Sequence, residues 1–122
     1  MKKTMTTKEV ASRFDELAQD EKWFEIQEEL FANHVRSVEP SDSRFFEDAE
    51  GKIPVRMKGE AWVSRVTAAH RLHTTAPVVG GNYFTVGREI DITVNGHGRI
   101  QINQIMLYEV KDGEIVLEQF FY

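Results

Sequence analysis

The chain has 122 residues and a mass of 14.1 kDa, which is enough for one domain with its own hydrophobic core. Its formal net charge is -5 and its basic residues are scattered, unlike nucleic-acid-binding modules, which concentrate Lys and Arg on one face. The absence of cysteine excludes disulfides and thiolate ligands. No run approaches the ~20 apolar residues of a membrane helix, and no signal peptide is evident. We therefore expect a single cytoplasmic domain over residues 1–122, with no nucleic-acid or membrane partner.

Two short helices are predicted at the beginning. The segment Thr6-Thr7-Lys8-Glu9 has the S/T-x-x-E form of a capping box, and apolar residues then recur at helical spacing up to Ala18. A second N-terminal signal at Asp20-Glu21 precedes another apolar stripe, which ends near Asn33. The pattern indicates a helix pair joined by a short bend.

A short strand and a long loop follow. Residues 34–39 are rich in β-favouring valine and are stopped by Pro40, which cannot donate to a ladder. Residues 41–57 have no periodicity and are predicted to be a loop. Because two adjacent exposed phenylalanines are costly, Phe45-Phe46 is expected to fold back over an apolar surface.

A third helix is predicted from Gly59-Glu60 to His73. Trp62, Val66, Ala69 and His73 lie on one helical stripe, so His73 should face the sheet at the helix end. There, His73 has two interpretations: an imidazolium that favours the C-terminal helix dipole, or a catalytic group. His70 and His73 lack a third ligand nearby in sequence, so no metal site is expected.

The segment from Tyr83 to Tyr122 is predicted to form an antiparallel meander of three strands. Apolar side chains alternate with polar ones, as a half-buried strand requires, and Val78-Val79 adds a short strand before them. The breaks at Asn95-Gly96-His97-Gly98 and Asp112-Gly113 contain residues that tolerate positive φ.

The order of these elements, together with four short motifs, resembles the nuclear transport factor 2-like superfamily and, within it, the SnoaL-like proteins. The motifs are Val38-Glu39-Pro40, Lys58-Gly59-Glu60-Ala61, Asp91-Ile92-Thr93, and Tyr108 to Val116 with Glu118 to Tyr122. The resemblance implies an α+β, cystatin-like fold: three N-terminal helices packed on a curved antiparallel sheet that forms a conical barrel around a pocket. It also implies frequent dimerisation through the outer face of the sheet.

Members of this superfamily include polyketide cyclases, ketosteroid isomerases and epoxide hydrolases. Glu39 sits at a place comparable to the catalytic aspartate of the ketosteroid isomerases, near the end of the first strand. The oxyanion-hole tyrosine of the first helix is not matched, because that helix carries Phe14 and no tyrosine. The resemblance therefore implies a pocket with at most one familiar catalytic element.

The turns decide which side chains face the pocket. A three-residue first loop with Gly98 left-handed would pair Val94 with Ile100, and a two-residue second turn would pair Val110 with Ile115, so the apolar residues of all three strands would share one face. A two-residue first loop would instead set the apolar residues of the first two strands on opposite faces, and a longer second turn would move Glu118 and Tyr122 inside. That face carries the following residues: Arg88, Gln104, Tyr108, Leu117, Gln119 and Phe121. The polar members either orient a ligand or form a structural network, for example an Arg88–Glu39 ion pair. Trp62 and Phe14 are either core residues or part of the pocket lining.

The opposite face is expected to bury a homodimer interface. Its large apolar residues are Ile105, Leu107, Val116, Phe120 and Tyr122. Such a patch is too large to be left in open water.

Two functions follow from these expectations. The first is a SnoaL-like protein that binds a small apolar organic molecule in an apolar pocket, without a cofactor or metal. The second is an acid-base enzyme of the ketosteroid isomerase or polyketide cyclase type, with Glu39 as general base and Arg88 or His73 stabilising an oxyanion.

Overall fold

A computed structural model describes residues 4–122, and this part of the chain folds into three helices and seven strands. The helices are α1 (Thr7–Gln19), α2 (Trp23–Leu30) and α3 (Lys52–Arg65). The strands are β1 (Phe31–Val38), β2 (Ala49–Glu50), β3 (Val66–Thr74), β4 (Val78–Gly80), β5 (Tyr83–Val94), β6 (Gly98–Lys111) and β7 (Glu114–Phe121). They form one open sheet in the order β2-β1-β7-β6-β5-β3, with β4 paired to β5. The β1–β7 pair is parallel and the other pairs are antiparallel, so the sheet is mixed rather than purely antiparallel.

The predicted helix pair is confirmed. The backbone N–H of Glu9 donates to Thr6 Oγ1 at 3.2 Å, and the N–H of Thr6 donates to Glu9 Oε1 at 2.9 Å, which completes the capping box. The second helix ends at Leu30, earlier than expected, because β1 already begins at Phe31. The predicted short strand therefore exists and starts three residues before His34.

The predicted third helix is wrong over residues 66–73. The helix begins at Lys52, where Pro54 lies in the first turn and its missing N–H removes no helical hydrogen bond. It ends at Arg65, because the following residues pair with the edge of β5 as the β3 strand. His73 therefore lies on a strand opposite Glu89, is exposed, and cannot interact with a helix dipole.

Gly59 lets α3 lie close to α2. A Cβ added at this glycine would sit 3.1 Å from Cε1 of Phe24, which is tighter than ordinary van der Waals contact. This close approach brings Lys58, the preceding residue, to the wall of the cavity described below.

The three-strand meander is confirmed, with a correction to its first turn. Val94 pairs with Gly98, not with Ile100, and Gly98 has φ +81°. The error of two residues keeps the same faces together, because side chains alternate with a period of two. At the second turn Asp112 and Gly113 have φ values of 53° and 78°, which fit the predicted two-residue turn.

A β-bulge in β7 changes the predicted faces. Val110 pairs with Ile115 as expected, but Glu109 then pairs with Leu117, so the intervening Val116 is an extra residue. Beyond the bulge, the following pairs form: Tyr108 with Glu118, Leu107 with Gln119, Met106 with Phe120, and Ile105 with Phe121. The predicted inward positions of Leu117, Gln119 and Phe121 are therefore wrong. The predicted outward positions of Phe120 and Tyr122 are also wrong, since the hydroxyl of Tyr122 donates to Glu39.

The outer face of β6 and β7 still carries apolar side chains after this correction. Ile105 and Phe121 are each 49% exposed, and Leu107 and Leu117 lie beside them. The predicted dimer interface therefore contains different residues of β7 than expected. The homodimer itself stays a prediction.

The core lies between α1, α2 and the inner face of the sheet. Phe14 of α1 is its centre, with ring centroids 4.7 Å from Tyr108, 5.1 Å from Phe84 and 5.7 Å from Trp23. Phe14 and Tyr108 are both 0% exposed. The aromatic cluster fills this end of the domain, and the cavity lies on its other side.

Candidate functional site

A cavity of about 600 Å³ lies between α2, α3 and the inner face of the sheet. Its lining is mainly apolar and includes Trp23, Phe24, Trp62, Ile90, Ile92, Met106 and Phe120. A few polar side chains interrupt this surface: Ser37, Glu39, Lys58, Arg88, Gln104, Tyr108 and Glu118. An apolar concavity with a small number of convergent polar groups is typical of a small-molecule site.

Glu39 and Lys58 form an ion pair at the wall of this cavity. Glu39 follows the end of β1, Lys58 comes from α3, and Lys58 Nζ donates to Glu39 Oε2 at 2.5 Å. The two side chains are 4% and 17% exposed, respectively. The hydroxyl of Tyr122 donates to the other carboxylate oxygen of Glu39 at 2.7 Å. Both oxygens of Glu39 are thus occupied, and its backbone N–H donates to Asp48 Oδ1 at 2.8 Å.

Glu118 is a second buried carboxyl group, placed on the cavity wall by the bulge in β7. The hydroxyls of Ser37 and Tyr108 donate to its two oxygens, each at 2.9 Å. Burial raises the pKa of Glu118 and outweighs these two hydrogen bonds, which lower it. Glu118 therefore keeps its proton to a higher pH than an exposed glutamate does.

The two carboxyl groups belong to one continuous chain of hydrogen bonds. Lys58 Nζ also donates to Ser37 Oγ at 3.0 Å, which connects the Glu39 pair to Glu118. In order, the connected residues are Tyr108, Glu118, Ser37, Lys58, Glu39, Tyr122 and Ser43. The chain runs from the fully buried Tyr108 to Ser43 in the surface loop.

Arg88 also lines the cavity, and both of its terminal nitrogens form hydrogen bonds. Its two terminal nitrogens donate to the Glu21 carboxylate at 2.8 Å and 2.7 Å, and one of them also donates to Thr74 Oγ1 at 3.0 Å. The guanidinium lies 4.7 Å from the ring centroid of Trp23. Glu21 adopts φ 57°, a left-handed conformation that is uncommon for a residue other than glycine. The Arg88–Glu39 ion pair considered from the sequence is therefore wrong.

The pKa of Glu21 reflects this pairing. Partial burial raises it, but the hydrogen bonds from Arg88 and Trp23 together lower the pKa below its ordinary value. Glu21 thus stays ionised and neutralises Arg88.

The structure brings together five of the eight side chains singled out from the sequence. Those that line the cavity are Glu39, Trp62, Arg88, Gln104 and Tyr108. Phe14 lies in the core behind the cavity, Gln119 lies on the outer face opposite Leu107, and His73 is exposed on β3. The expected inward orientation of His73 and Gln119 is wrong.

Three charged residues that form hydrogen bonds in the cavity, Glu21, Lys58 and Glu118, were not among the candidate site residues. Lys58 was placed just before the predicted helix, and a start at Lys52 would have put it inside α3. Glu118 was expected inside only with a second turn longer than two residues; the turn has two residues, and the bulge, which no local pattern reveals, moves Glu118 inside instead. Glu21 was interpreted only as a helix N-terminal signal.

The loop after β1 covers one side of the cavity, as its phenylalanines predicted. Phe45 and Phe46 pack on Trp62 with centroids 6.0 Å and 4.5 Å apart, and Phe46 also lies 6.4 Å from Tyr122. Phe46 and Trp62 both line the cavity. Tyr122 thus connects the loop to Glu39 through its ring and its hydroxyl.

Two further observations concern residues 4–122. In this range, no group of three or more His, Asp or Glu side chains is arranged to hold a metal ion. None of the helices in the same range has the length and apolar character needed to span a membrane.

A family model described as the SnoaL-like domain matches residues 5–122. The chain belongs to the SnoaL-like family. No curated protein matches it. The fold, three helices with a mixed sheet, is the cystatin-like, nuclear transport factor 2-like α+β fold.

Three solved structures illustrate the likeness of this SnoaL-like chain. A Mesorhizobium loti protein provisionally named a SnoaL-like polyketide cyclase is 28% identical, with a TM-score of 0.89 over 97% of this chain and 100% of that one. A nuclear transport factor 2-like protein of unknown function from Burkholderia pseudomallei is 13% identical, with a TM-score of 0.74 over 97% and 92%. TerC, crystallised with polyporic acid, is 12% identical, with a TM-score of 0.70 over 95% and 90%. Membership in this family supports a small-molecule-binding protein or one of the cyclase or isomerase type.

Proposed function

We propose that this SnoaL-like protein binds a small, largely apolar organic molecule in the cavity between its helices and its sheet. The observation that carries the proposal is the cavity itself: about 600 Å³ in volume, mainly apolar, and interrupted by a few fixed polar groups. TerC, which shares the fold, was co-crystallised with polyporic acid, a small organic molecule, which is consistent with this proposal.

A variant that fills the cavity tests the proposal. Ile90 lines the cavity on β5, whereas Ile105 lies on the outer face of β6 and is 49% exposed. A panel of apolar aromatic compounds should raise the melting temperature of the wild type and of Ile105→Trp by mass action, but not that of Ile90→Trp. A panel that stabilises all three proteins equally would show binding elsewhere and would overturn the proposal.

Acid-base catalysis is the second candidate function, and the paired carboxyl groups favour it. Glu39 and Glu118 lie on the same cavity wall, one as an ion-paired carboxylate and one with a raised pKa. In a reaction next to a carbonyl group, Glu39 would take the proton from carbon, and the electron pair would move to the carbonyl oxygen. The ammonium group of Lys58 would stabilise that oxygen. Lys58 takes the place expected for Arg88 or His73, because Arg88 is engaged by Glu21 and His73 is outside the cavity.

Deuterium exchange into 2-tetralone, followed by proton NMR in heavy water, tests this candidate without a known substrate. The wild type should accelerate exchange at the carbon next to the carbonyl group, and Glu39→Gln should remove the acceleration. Glu109→Gln is the matched control, because Glu109 lies on the outer face and pairs with Leu117. Exchange no faster than in buffer, or equally fast in Glu39→Gln, would reject Glu39 as a base in this cavity.

A further inference from the structure

Two of the three cations that line the cavity, Lys58 and Arg88, are already neutralised by the protein. Apart from Glu118, the charged side chains that line it are three cations, Lys22, Lys58 and Arg88, and three carboxylates, Glu21, Glu25 and Glu39. Within the cavity, Lys58 is paired with Glu39 and Arg88 is paired with Glu21 through two hydrogen bonds. An anionic ligand would have to displace one of these carboxylates or lie beside it.

Either arrangement is unfavourable for an anion. Displacing Glu39 would leave a carboxylate that is 4% exposed without its partner, and buried unpaired charges are strongly destabilising. A ligand carboxylate placed next to the intact pairs would face Glu39 or Glu21 at short range. The third cation, Lys22, is exposed, so solvent screens its attraction for such a ligand. The cavity therefore selects against negative charge on its ligand.

The side-chain amide of Gln104 has no partner in the part of the chain that the structure describes. Gln104 lies on β6 directly opposite Arg88 and is partly buried, and its side chain forms no hydrogen bond with residues 4–122. Its amide offers both a donor and an acceptor. On the α2 wall, Oε1 of Gln27 is also buried without a hydrogen-bond partner.

We propose that the ligand is an uncharged molecule whose carbonyl or hydroxyl group binds the side-chain amide of Gln104. The inference rests on the proposed function and specifies it further: Gln104, rather than Arg88, orients the ligand. An uncharged oxygen satisfies the amide of Gln104 and leaves both ion pairs intact. The apolar remainder of the ligand contacts the lining of the cavity.

Three probes of the same shape test the inference: 2-acetylnaphthalene, 2-naphthoate and 2-ethylnaphthalene. Binding is followed by the two tryptophan indole signals in ¹⁵N NMR, since Trp23 and Trp62 both line the cavity. Dissociation constants come from titration calorimetry. The uncharged ketone should bind at least about tenfold more tightly than 2-naphthoate.

Variants at two glutamines complete the test. Gln104→Met keeps the volume but removes the amide, and it should weaken binding of 2-acetylnaphthalene about fivefold without changing binding of 2-ethylnaphthalene. Gln119→Met on the outer face should bind all probes as the wild type does.

The outcomes separate the two proposals. Tighter binding of 2-naphthoate than of the ketone, or a Gln104→Met variant that binds the ketone as the wild type does, would overturn the inference and leave the proposed function standing. Failure of all three probes to bind would overturn both.

Discussion

Replacing Lys58 by Met should lower the free energy of unfolding of this protein more than replacing any exposed charged residue. The change keeps the apolar stem of the side chain but removes the ammonium group that holds Glu39. Because the Glu39 side chain is 4% exposed, water cannot replace the lost partner. The hydroxyl of Tyr122 remains as its one strong side-chain donor.

The expected loss follows from these contacts. Removing one partner of a buried ion pair typically costs about 3–5 kcal/mol. Because the hydrogen bond from Tyr122 to Glu39 remains, we expect a loss in the free energy of unfolding of about 3 kcal/mol. The matched control is Arg71→Met, because the Arg71–Glu89 pair is 63% and 50% exposed. Exposed pairs contribute about 0–1 kcal/mol.

Urea unfolding followed by circular dichroism measures both losses at pH 7. Adding Glu39→Gln to Lys58→Met removes the unpaired charge and should restore about 1–2 kcal/mol. A loss below about 1 kcal/mol, or no recovery in the double variant, would refute the view that this pair is buried and mutually dependent.

Three further predictions use the same protein. Burial raises the pKa of Glu118, so the contribution of Glu118 to stability is fully present below the ordinary carboxyl pKa and is lost as the pH rises through the raised pKa. Across that pH interval, urea unfolding should show Glu118→Gln gaining stability relative to the wild type. A difference in stability that does not change with pH would contradict this. Arg88→Met should lower the free energy of unfolding by about 2 kcal/mol, less than Lys58→Met, because the stranded Glu21 side chain is 35% exposed and can be rehydrated. Light scattering at micromolar concentration should show a dimer that Phe121→Lys dissociates, since Ile105 and Phe121 are large, apolar and half exposed; a wild-type monomer would contradict the predicted homodimer.

The periodic parts of the sequence predicted the fold well. The capping box at Thr6 and the alternation through β5 and β6 depend on neighbours in sequence, so local patterns determine them. The boundary between α3 and β3 is not determined by neighbours in sequence. The stripe containing Trp62 and Val66 fits a helix, but the free edge of β5 provides backbone hydrogen-bond partners for a strand. Tertiary pairing thus overrode the local pattern from Val66 onwards.

The site was harder to predict because its charged groups pair across the sequence. A single extra residue at Val116 moves Glu118 and Phe120 inside and Gln119 outside. The partner of Glu39 is 19 residues away and the partner of Arg88 is 67 residues away, and no spacing rule identifies either pairing. Glu39 and Arg88 were recognised as candidates from the sequence, whereas their partners Lys58 and Glu21 are identified only by the three-dimensional structure.

The parallel pairing of β1 with β7 has a consequence for folding. Ser37 and Glu118, which are hydrogen-bonded in the sheet, are 81 residues apart. At ~5–20 residues per second, a ribosome takes roughly 4 to 16 seconds to make the chain between them. Throughout this interval β1 lacks its neighbour β7 in the sheet. The hydroxyl of Ser37 then has no Glu118 to bind, and the carboxylate of Glu39 lacks the hydroxyl of Tyr122. Such distant contacts slow folding, so protection of β1 amides from hydrogen exchange should develop together with that of β7 and later than that of the β5–β6 hairpin.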